Sequence, residues 1–581
     1  MFGSEMRAIQ PPQRVCAHEP ERSIRLRHAT LLPTMTDRRT FLGGAALAAF
    51  LLSEEAGRAA TAIEATLDRF IEAYMREMNS PGMTLALANR ERTVRVASYG
   101  FSDIEAKERV STDQLFQIGS ITKSFVALTL LQMRDEKKVD LQRPILEYLP
   151  WLPIETNYGP ITLHHLLTHS SGLPNALGFG LTDPSARYVQ AHRPGDHFHY
   201  CNLGFDVLGR LIAKLDGRPW AESVRRRIFE PLGMMSSSAV INNETRQRTA
   251  KNYMPFLDDR GYPRQGPIAP AGNMLFENAA GSICSTPGDM ARYLKMLLRK
   301  GEGIVSADSF ALFSKPNLEA RELSSTAHYG YGIGVDQLDG HTILRHTGGM
   351  ASFMSSIIVD LDGGVAAFAS INAQLGYRPN PVTQFAVQLM NGQAELKAPD
   401  LPNAMKAKNA ADFAGTFEDT AGRKLEVVTE GDGLVLLAAG KRIPLQHQGG
   451  DVFLALAPAW QTFPVEFGRE GDKVHEIAYG GDWYVNATYS GPRRFDTPVH
   501  YQALVGHYCS DSPWHRSVRI VTRKGKLWMD GLTPLEPLGK GLFRIGDEPH
   551  SPDTAEFLHL ADGKALLLKV NGGDFWRIET T

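Results

Sequence analysis

The chain has 581 residues, a length that at roughly 150 residues per domain predicts three or four domains. Its 62 basic and 64 acidic side chains nearly cancel, which excludes the strong basic excess typical of a nucleic-acid-binding protein. Its four cysteines include no Cys-x-x-Cys pair, which excludes a disulfide-rich scaffold and a zinc ribbon. We therefore expect a multidomain globular protein that binds no nucleic acid.

The N-terminal segment predicts an export signal. Arg38 and Arg39 precede a short, Ala-rich apolar run, a pattern typical of twin-arginine signals. The run over residues 41–52 has 12 residues, whereas a membrane-spanning helix needs about 20, so we expect no integral membrane span in the mature chain. We expect residues 1–61 to be a leader, translation to begin at Met35, and the mature protein to be exported to the periplasm of a bacterium.

Residues 62–395 predict one α+β domain, an antiparallel sheet covered by helices and interrupted by a helical lobe. The predicted elements are a helix over 62–77, strands over Met83–Asn89 and Thr93–Tyr99, a mostly helical stretch over Ile118–Phe229, strands over Thr342–Arg345, Ser352–Val359 and Gly364–Ile371, and a helix over Pro381–Met390. The cleft between the sheet and the lobe is the natural position for a site.

The C-terminal part predicts two small all-β modules. Residues 396–408 lack periodicity and are expected to be a linker. Beyond them the chain repeats itself over 409–496 and 497–581: short matches such as Gly415-Thr-Phe with Gly506-His-Tyr recur at nearly constant spacing. The regular strands and turns favour two barrel-like domains, whose aromatic residues we expect to form their cores.

The segment Ser120-Ile-Thr-Lys123 carries the first chemical signal. It leads into an apolar helix predicted over Ser124–Met133, which places the hydroxyl and the amine on one face, a single turn apart. A serine hydroxyl needs an adjacent base, and a lysine in a dry cleft can lose its proton or tune a neighbouring group. The spacing alone also fits a capping serine followed by a surface lysine.

Two further segments complete a recognisable set. Tyr200-Cys201-Asn202 follows a turn, and His346-Thr-Gly-Gly349 ends a predicted strand. With Ser120-x-x-Lys123, their order resembles that of the serine β-lactamase and penicillin-binding protein family. The class C β-lactamase and D-aminopeptidase branch is the most similar, on the stretches Ile161–Pro174, Phe229–Met234, Ala280–Asp289 and Tyr329–Gly334.

The resemblance implies a role for each of these residues. Ser120 would attack a carbonyl, while Lys123 and Tyr200 would act as a coupled acid–base pair. Asn202 would orient the lysine and the substrate amide. The opposite wall, on an edge strand, would consist of His346, Thr347 and Gly348. The amides of Ser120 and Gly349 would form the oxyanion hole. The implied reaction is hydrolysis of an amide or ester through an acyl-enzyme, without a cofactor, on a small-molecule or peptide substrate.

One departure bears on the substrate. The family usually has lysine where this chain has His346, and a histidine is largely neutral near pH 7. This departure favours peptides, amides or esters over β-lactams, with weak or no β-lactamase activity. The resemblance implies D-amino-acid-containing peptides, as cleaved by D-aminopeptidases or D-Ala-D-Ala carboxypeptidases. A class C-like β-lactamase, a short-chain carboxylesterase and a non-catalytic ligand-binding or sensor protein stay open as alternatives.

A metallohydrolase is the remaining rival interpretation. Six of the 18 histidines form two groups in the sequence, but neither group has a carboxylate at the spacing of a His-Glu-x-x-His motif. We therefore expect no metal at His164, His165 and His169 or at His192, His197 and His199.

Overall fold

The computed structural model describes residues 63–176, 181, 186–272, 274–392 and 397–579. The export signal and the start at Met35 predicted above lie outside these described residues. Among the helices that are described, none combines the length and apolar character needed to cross a membrane.

A nine-stranded antiparallel sheet forms the centre of the first domain. In their order across the sheet, its strands are Leu318–Glu319, His328–Tyr329, Gly334–Leu338, His341–Met350, Phe353–Asp360, Val365–Ile371, Gly82–Asn89, Thr93–Asp103 and Glu108–Arg109. The N-terminal strands join the later ones where Leu85 pairs with Ala369. The chain therefore leaves the sheet after residue 109 and re-enters it near residue 318.

Helices cover both faces of this sheet because its central strands are apolar on both sides. Leu85 and Leu87 face the layer formed by the helices 63–77 and Asn380–Met390. Ala86, Ala88 and the opposite face pack against the helix Pro287–Leu298 and the helical lobe. This alternation places the candidate site on the lobe side of the sheet.

The lobe is built from short helices around one deeply buried helix. Its helices are Thr122–Asp135, Ile145–Tyr148, Leu163–Leu167, Asn202–Asp216, Trp220–Val224, a π-helical turn Arg225–Phe229, Glu230–Leu232, Asn243–Arg248 and Ala307–Phe313. Three two-stranded ladders brace it: Phe116–Gln117 with Cys284–Ser285, Ile154–Glu155 with Tyr188–Val189, and Tyr253–Pro255 with Ile268–Pro270. Most of Thr122–Asp135 is buried, including the polar residues Thr122, Lys123, Ser124 and Thr129.

The strand His341–Met350 differs from its prediction in two ways. It extends five residues beyond Arg345, because the glycines at its end carry no side-chain pattern that marks a strand. It is also not an edge strand, since three shorter strands lie outside it. Its pairing with the strand Gly334–Leu338 nevertheless ends at Arg345, so residues 346–350 are paired with the strand Phe353–Asp360 on the other side only.

Two closed eight-stranded barrels follow the first domain. The first contains Gly415–Glu418, Lys424–Glu430, Gly433–Ala438, Lys441–Gly449, Val452–Ala455, Val465–Glu470, Lys473–Tyr479 and Asp482–Val485. The second contains Gly506–Cys509, Ser517–Arg523, Lys526–Met529, Thr533–Gly539, Leu542–Ile545, Thr554–Ala561, Lys564–Val570 and Gly573–Ile578. Phe417 and Phe467 are buried in the first core, and Tyr508 and Phe557 in the second. The predicted fold class, an α+β lobed domain followed by two all-β barrels, is confirmed.

Candidate active site

Ser120 lies in a single 3-10 turn, Gly119–Ile121, that leads directly into the helix Thr122–Asp135. The strand end approaches this turn so closely that side chains are excluded on both sides. A Cβ on Gly119, which has a φ of 54°, would lie 2.6 Å from the Gly349 nitrogen, and one on Gly348 would overlap the Ile118 carbonyl oxygen. The two glycines therefore allow the Gly349 amide to lie beside the Ser120 turn.

Lys123 is fully buried, and its amine is surrounded by uncharged partners. Its Nζ lies 3.0 Å from Ser120 Oγ, 2.7 Å from Asn202 Oδ1 and 2.9 Å from the Ala280 carbonyl oxygen. Burial lowers the pKa of Lys123 well below its ordinary value. A neutral amine has two N–H groups and one lone pair. Because Asn202 Oδ1 and the Ala280 carbonyl only accept hydrogen bonds, the lone pair is directed at the Ser120 hydroxyl.

Asn202 is held in the orientation that Lys123 requires. It begins the helix Asn202–Asp216, and both its backbone N and its Nδ2 donate to Asn175 Oδ1, at 3.1 and 2.9 Å. With Nδ2 engaged there, Oδ1 faces the lysine. The sequence analysis missed Asn175 because nothing in its local sequence links it to a residue 27 positions away.

Tyr200 packs against Lys123 and is clamped by His169. The Lys123 Nζ lies 4.8 Å from the centroid of the Tyr200 ring. On either side of Tyr200, the His199 N–H donates to the His169 carbonyl oxygen at 2.8 Å and the Cys201 N–H donates to His169 Nδ1 at 3.0 Å. The His169 ring also contacts the Tyr200 ring, with centroids 4.3 Å apart. His169 therefore fixes the backbone and the ring of Tyr200, a role that its φ of 55° makes possible.

Cys201 caps the N-terminus of the helix Asn202–Asp216. Its Sγ accepts a hydrogen bond from the Gly204 N–H at 3.3 Å and donates to the Pro174 carbonyl oxygen at the same distance. Burial raises its pKa to about 12, so the thiol stays protonated. This agrees with a structural role for the cysteine.

His346 is a buried, neutral side chain with both ring nitrogens engaged. Its Nδ1 lies 2.6 Å from the Thr347 carbonyl oxygen, which can only accept, so Nδ1 carries the proton. Its Nε2 then accepts from the Tyr329 hydroxyl at 2.8 Å. Burial, reinforced by the charge of Lys123 when protonated, lowers the pKa of His346 to about 3. His346 therefore shapes the strand and offers no cation to a substrate.

Arg378 supplies a cation that the sequence analysis missed. Its guanidinium donates to Thr347 Oγ1 at 3.1 Å and lies close to Gly349. Arg378 therefore brings a positive charge close to Thr347, the residue after His346. The eight residues predicted from sequence, Ser120, Lys123, Tyr200, Asn202, His346, Thr347, Gly348 and Gly349, are brought to one place.

His164 and His165 form hydrogen bonds with neighbouring side chains. His164 Nδ1 lies 2.9 Å from the Tyr331 hydroxyl, and His165 forms a capping box with Thr162. Throughout the part of the chain that the structure describes, no three His, Cys, Asp or Glu side chains are arranged to hold a metal ion.

A helix-covered antiparallel sheet with a Ser-x-x-Lys serine at the start of a buried helix defines the class of serine β-lactamases and penicillin-binding proteins. The chain belongs to the Beta-lactamase family, whose family model matches residues 67–389, more than half of its length. This family is one of Ser-x-x-Lys serine hydrolases and acyltransferases.

Three similar proteins extend the comparison. Penicillin-binding protein 4 of Amycolatopsis lactamdurans is 27% identical over 338 residues, 54% of this chain and 87% of that protein. Protein Rv1367c of Mycobacterium tuberculosis is 28% identical over 260 residues, 39% of this chain and 63% of that protein. The structure of the octameric penicillin-binding protein homologue from Pyrococcus abyssi has 24% identity and a TM-score of 0.53, covering 72% of this chain and 99% of that one. It supports the shared fold.

The contacts of His169 with the segment around Tyr200 predict how two His169 variants differ in kcat. His169→Leu removes the Nδ1 acceptor, so we expect kcat to fall roughly 10- to 100-fold while KM changes less than about 2-fold, because displacement of Tyr200 disturbs the reacting geometry. His169→Asn keeps a δ-position acceptor, tolerates a positive φ, and should retain most of kcat. Steady-state kinetics of both variants test this. Wild-type kcat in His169→Leu would contradict the clamp.

The burial of His346 predicts a pH dependence of stability. Below pH 6.5 the unfolded chain binds a proton at this histidine that the folded chain does not bind until about pH 3, so stability falls as the pH falls between these values. We expect the His346 contribution to cost about 2 kcal/mol between pH 7 and pH 5. The comparison is the urea midpoint of the first domain in wild type and His346→Gln at both pH values. An equal loss in the two proteins would refute it.

Proposed function

We propose that the protein is a serine hydrolase that cleaves amide or ester bonds through an acyl-enzyme on Ser120. The observation that carries this proposal is the buried Lys123 amine, whose lone pair is directed at the Ser120 hydroxyl by two obligate acceptors. A capping serine with a surface lysine would show neither this burial nor this geometry. We assign the protein to the class C β-lactamase and D-aminopeptidase branch on the motifs of the sequence analysis.

The steps follow from the positions of the groups. Lys123 accepts the Ser120 proton as Oγ attacks the substrate carbonyl, because burial favours its neutral form. The amides of Ser120 and Gly349 stabilise the oxyanion, a contribution of about 3 kcal/mol per donor in comparable sites. The proton then passes to the leaving nitrogen or oxygen through the Lys123–Tyr200 pair, and the carbon–heteroatom bond breaks. Water then attacks the ester on Ser120. The Lys123–Tyr200 pair takes a proton from this water and returns one to Ser120 Oγ as the ester C–O bond breaks.

The surroundings favour an extended peptide as substrate. Among the described residues, 346–350 pair with a strand on one side only, and we propose that an extended chain adds on the other side as a further strand. Arg378 beside Thr347 can bind a carboxylate at the end of such a chain. We therefore propose a peptide substrate. The motifs shared with the D-aminopeptidase branch favour peptides that contain D-amino acids, and the neutral His346 favours weak or no β-lactam hydrolysis.

We also propose that the protein is exported by a twin-arginine signal within residues 1–61, with translation starting at Met35, and is periplasmic. We propose as well that the domain boundaries are those of the sequence analysis, 62–395, 396–408, 409–496 and 497–581. The support is the arginine pair with its short apolar run, and the spacing of the C-terminal repeat.

A substrate panel tests the function. It contains D- and L-alanine p-nitroanilide, an N-acylated D-Ala-D-Ala peptide, a short-chain p-nitrophenyl ester and a chromogenic cephalosporin. We expect the D-amino-acid substrates to be the best, with Ser120→Ala lowering their turnover at least about 1,000-fold. A fluorescent phosphonate should label wild type and not Ser120→Ala.

Other outcomes would decide between the alternatives. Fast turnover of the ester alone would identify a carboxylesterase, and fast turnover of the cephalosporin a β-lactamase. If the phosphonate labels nothing and no substrate is turned over, the hydrolase proposal is wrong and a binding function is favoured.

Arg378 predicts discrimination between a charged and a neutral substrate end. Loss of a charged hydrogen bond costs about 1.5–3 kcal/mol, so Arg378→Gln should raise KM roughly 10- to 100-fold for a peptide with a free C-terminal carboxylate. The same peptide as its methyl amide should be unaffected, and Arg378→Lys should be intermediate. The kinetics of this substrate pair check the prediction. Equal effects on both peptides would mean that Arg378 does not read the carboxylate.

A further inference from the structure

Two residues of the second barrel lie beside the candidate active site. Asp553 directly precedes the strand Thr554–Ala561, and Asn571 directly follows the strand Lys564–Val570. The Asn571 Nδ2 donates to Asp553 Oδ1 at 2.9 Å, while its Oδ1 accepts from the Thr554 N–H at 2.9 Å. These bonds hold the Asp553 carboxylate rigidly at one end of the barrel.

Asp553 is hydrogen-bonded to both segments that carry the site. Its Oδ1 accepts from the Asn175 N–H at 2.9 Å and lies 3.3 Å from His199 Nε2. The Asn571 Nδ2 also lies 3.3 Å from the Asn175 carbonyl oxygen. Residues almost 400 positions apart in sequence are therefore joined at a charged contact between the barrel and the hydrolase domain.

The contact of Asp553 with Asn175 is connected to Ser120 through a chain of hydrogen bonds. The Asn175 backbone is fixed by Asp553, and the Asn175 side chain accepts both hydrogen bonds from Asn202. Asn202 Oδ1 in turn accepts from Lys123, which lies 3.0 Å from Ser120 Oγ. A shift of Asn175 would release Asn202 from the orientation that directs the lysine lone pair.

The contact of Asp553 with His199 affects Tyr200, because Tyr200 is the next residue in the chain. Burial acts to lower the pKa of His199, but the hydrogen bond and charge of Asp553, with smaller contributions from Glu322 and Glu548, raise it above its ordinary value. Burial likewise acts to raise the pKa of Asp553, while His199 holds it below its ordinary value. Each group thus favours the charged form of the other across the 3.3 Å contact, and this contact anchors the residue next to Tyr200.

We propose that Asp553 is a positioning residue of the active site, so that the second barrel is a working part of the hydrolase. It holds Asn175 and His199 in place and acts on Ser120, Lys123 and Tyr200 through them. This inference rests on the proposed function, because it assigns Asp553 to the same site.

The barrel has other contacts that keep it docked when Asp553 is changed. Arg519 forms an ion pair with Asp259 at 2.8 Å, and the Trp514 and Phe276 rings lie 5.6 Å apart. The effect of an Asp553 variant is therefore local. Asp547 lies in the same loop, is exposed, and serves as a matched control.

The test compares three variants of the full-length protein with the best substrate of the panel. Asp553→Ala should lower kcat roughly 10- to 100-fold with KM within about 2-fold of wild type, as expected for lost orientation. Asp553→Asn keeps an oxygen acceptor for the Asn175 N–H and should stay within about 3-fold of wild-type kcat. Asp547→Ala should match wild type. A thermal melt of each variant checks that all remain folded.

A second measurement does not depend on turnover. Hydrogen exchange followed by mass spectrometry should show faster exchange in peptides covering residues 166–176 and 199–205 in Asp553→Ala, and no change in Asp547→Ala. Unchanged exchange together with wild-type kcat in Asp553→Ala would overturn the positioning role. Absence of Ser120-dependent turnover in wild type would instead overturn the proposed function, while the exchange data would still decide whether Asp553 orders the site.

Discussion

The site depends on the Lys123 amine, which the fold keeps out of water and which forms no ion pair with any of the described residues. A buried ammonium costs several kcal/mol unless a charge compensates it, and the three hydrogen-bond partners of Lys123 are a hydroxyl, a side-chain amide and a backbone carbonyl. The protein relieves this cost by favouring the neutral amine. The same burial that makes the helix Thr122–Asp135 a stable core element therefore creates a base next to Ser120.

The backbone geometry around that amine leaves little freedom. Gly119 and Gly348 let the strand His341–Met350 lie against the Ser120 turn, and Ser355 Oγ donates to the Ile118 carbonyl oxygen at 2.8 Å to close the contact. A methyl group at either glycine would push the strand end away from the Ser120 turn. The groups proposed as nucleophile and oxyanion donors are thus held in place by contacts of the main chain.

Sequence patterns predicted the parts of the molecule that depend on local spacing. The period of apolar residues located the helix 63–77 and the strands beside it, and the repeat identified two similar barrels. Ser120 and Lys123 were singled out by their spacing of one helical turn, and the resemblance to the β-lactamase family distinguished them from a capping serine and a surface lysine. The contacts of His169 with the Tyr200 segment and the position of Asp553 were not predicted, because they depend on a left-handed backbone residue and on domain docking, which produce no periodic pattern in the sequence. The full length of the strand His341–Met350 was also not predicted, because the glycines at its end have no side chains and so show no alternation of apolar and polar residues.

The distribution of charge connects the site to its substrate. Burial lowers the pKa values of Lys123, His169 and His346 below their ordinary values, which favours the neutral form of each. Charged side chains lie further out, among them Arg378 beside Thr347 and Asp553 behind Asn175. For the substrate proposed above, the scissile bond would meet groups whose neutral forms are favoured, and the oxyanion contacts would strengthen once charge develops in a site shielded from water. The proposed short peptide, with its charge at an end and its reacting carbonyl in the middle, fits this distribution.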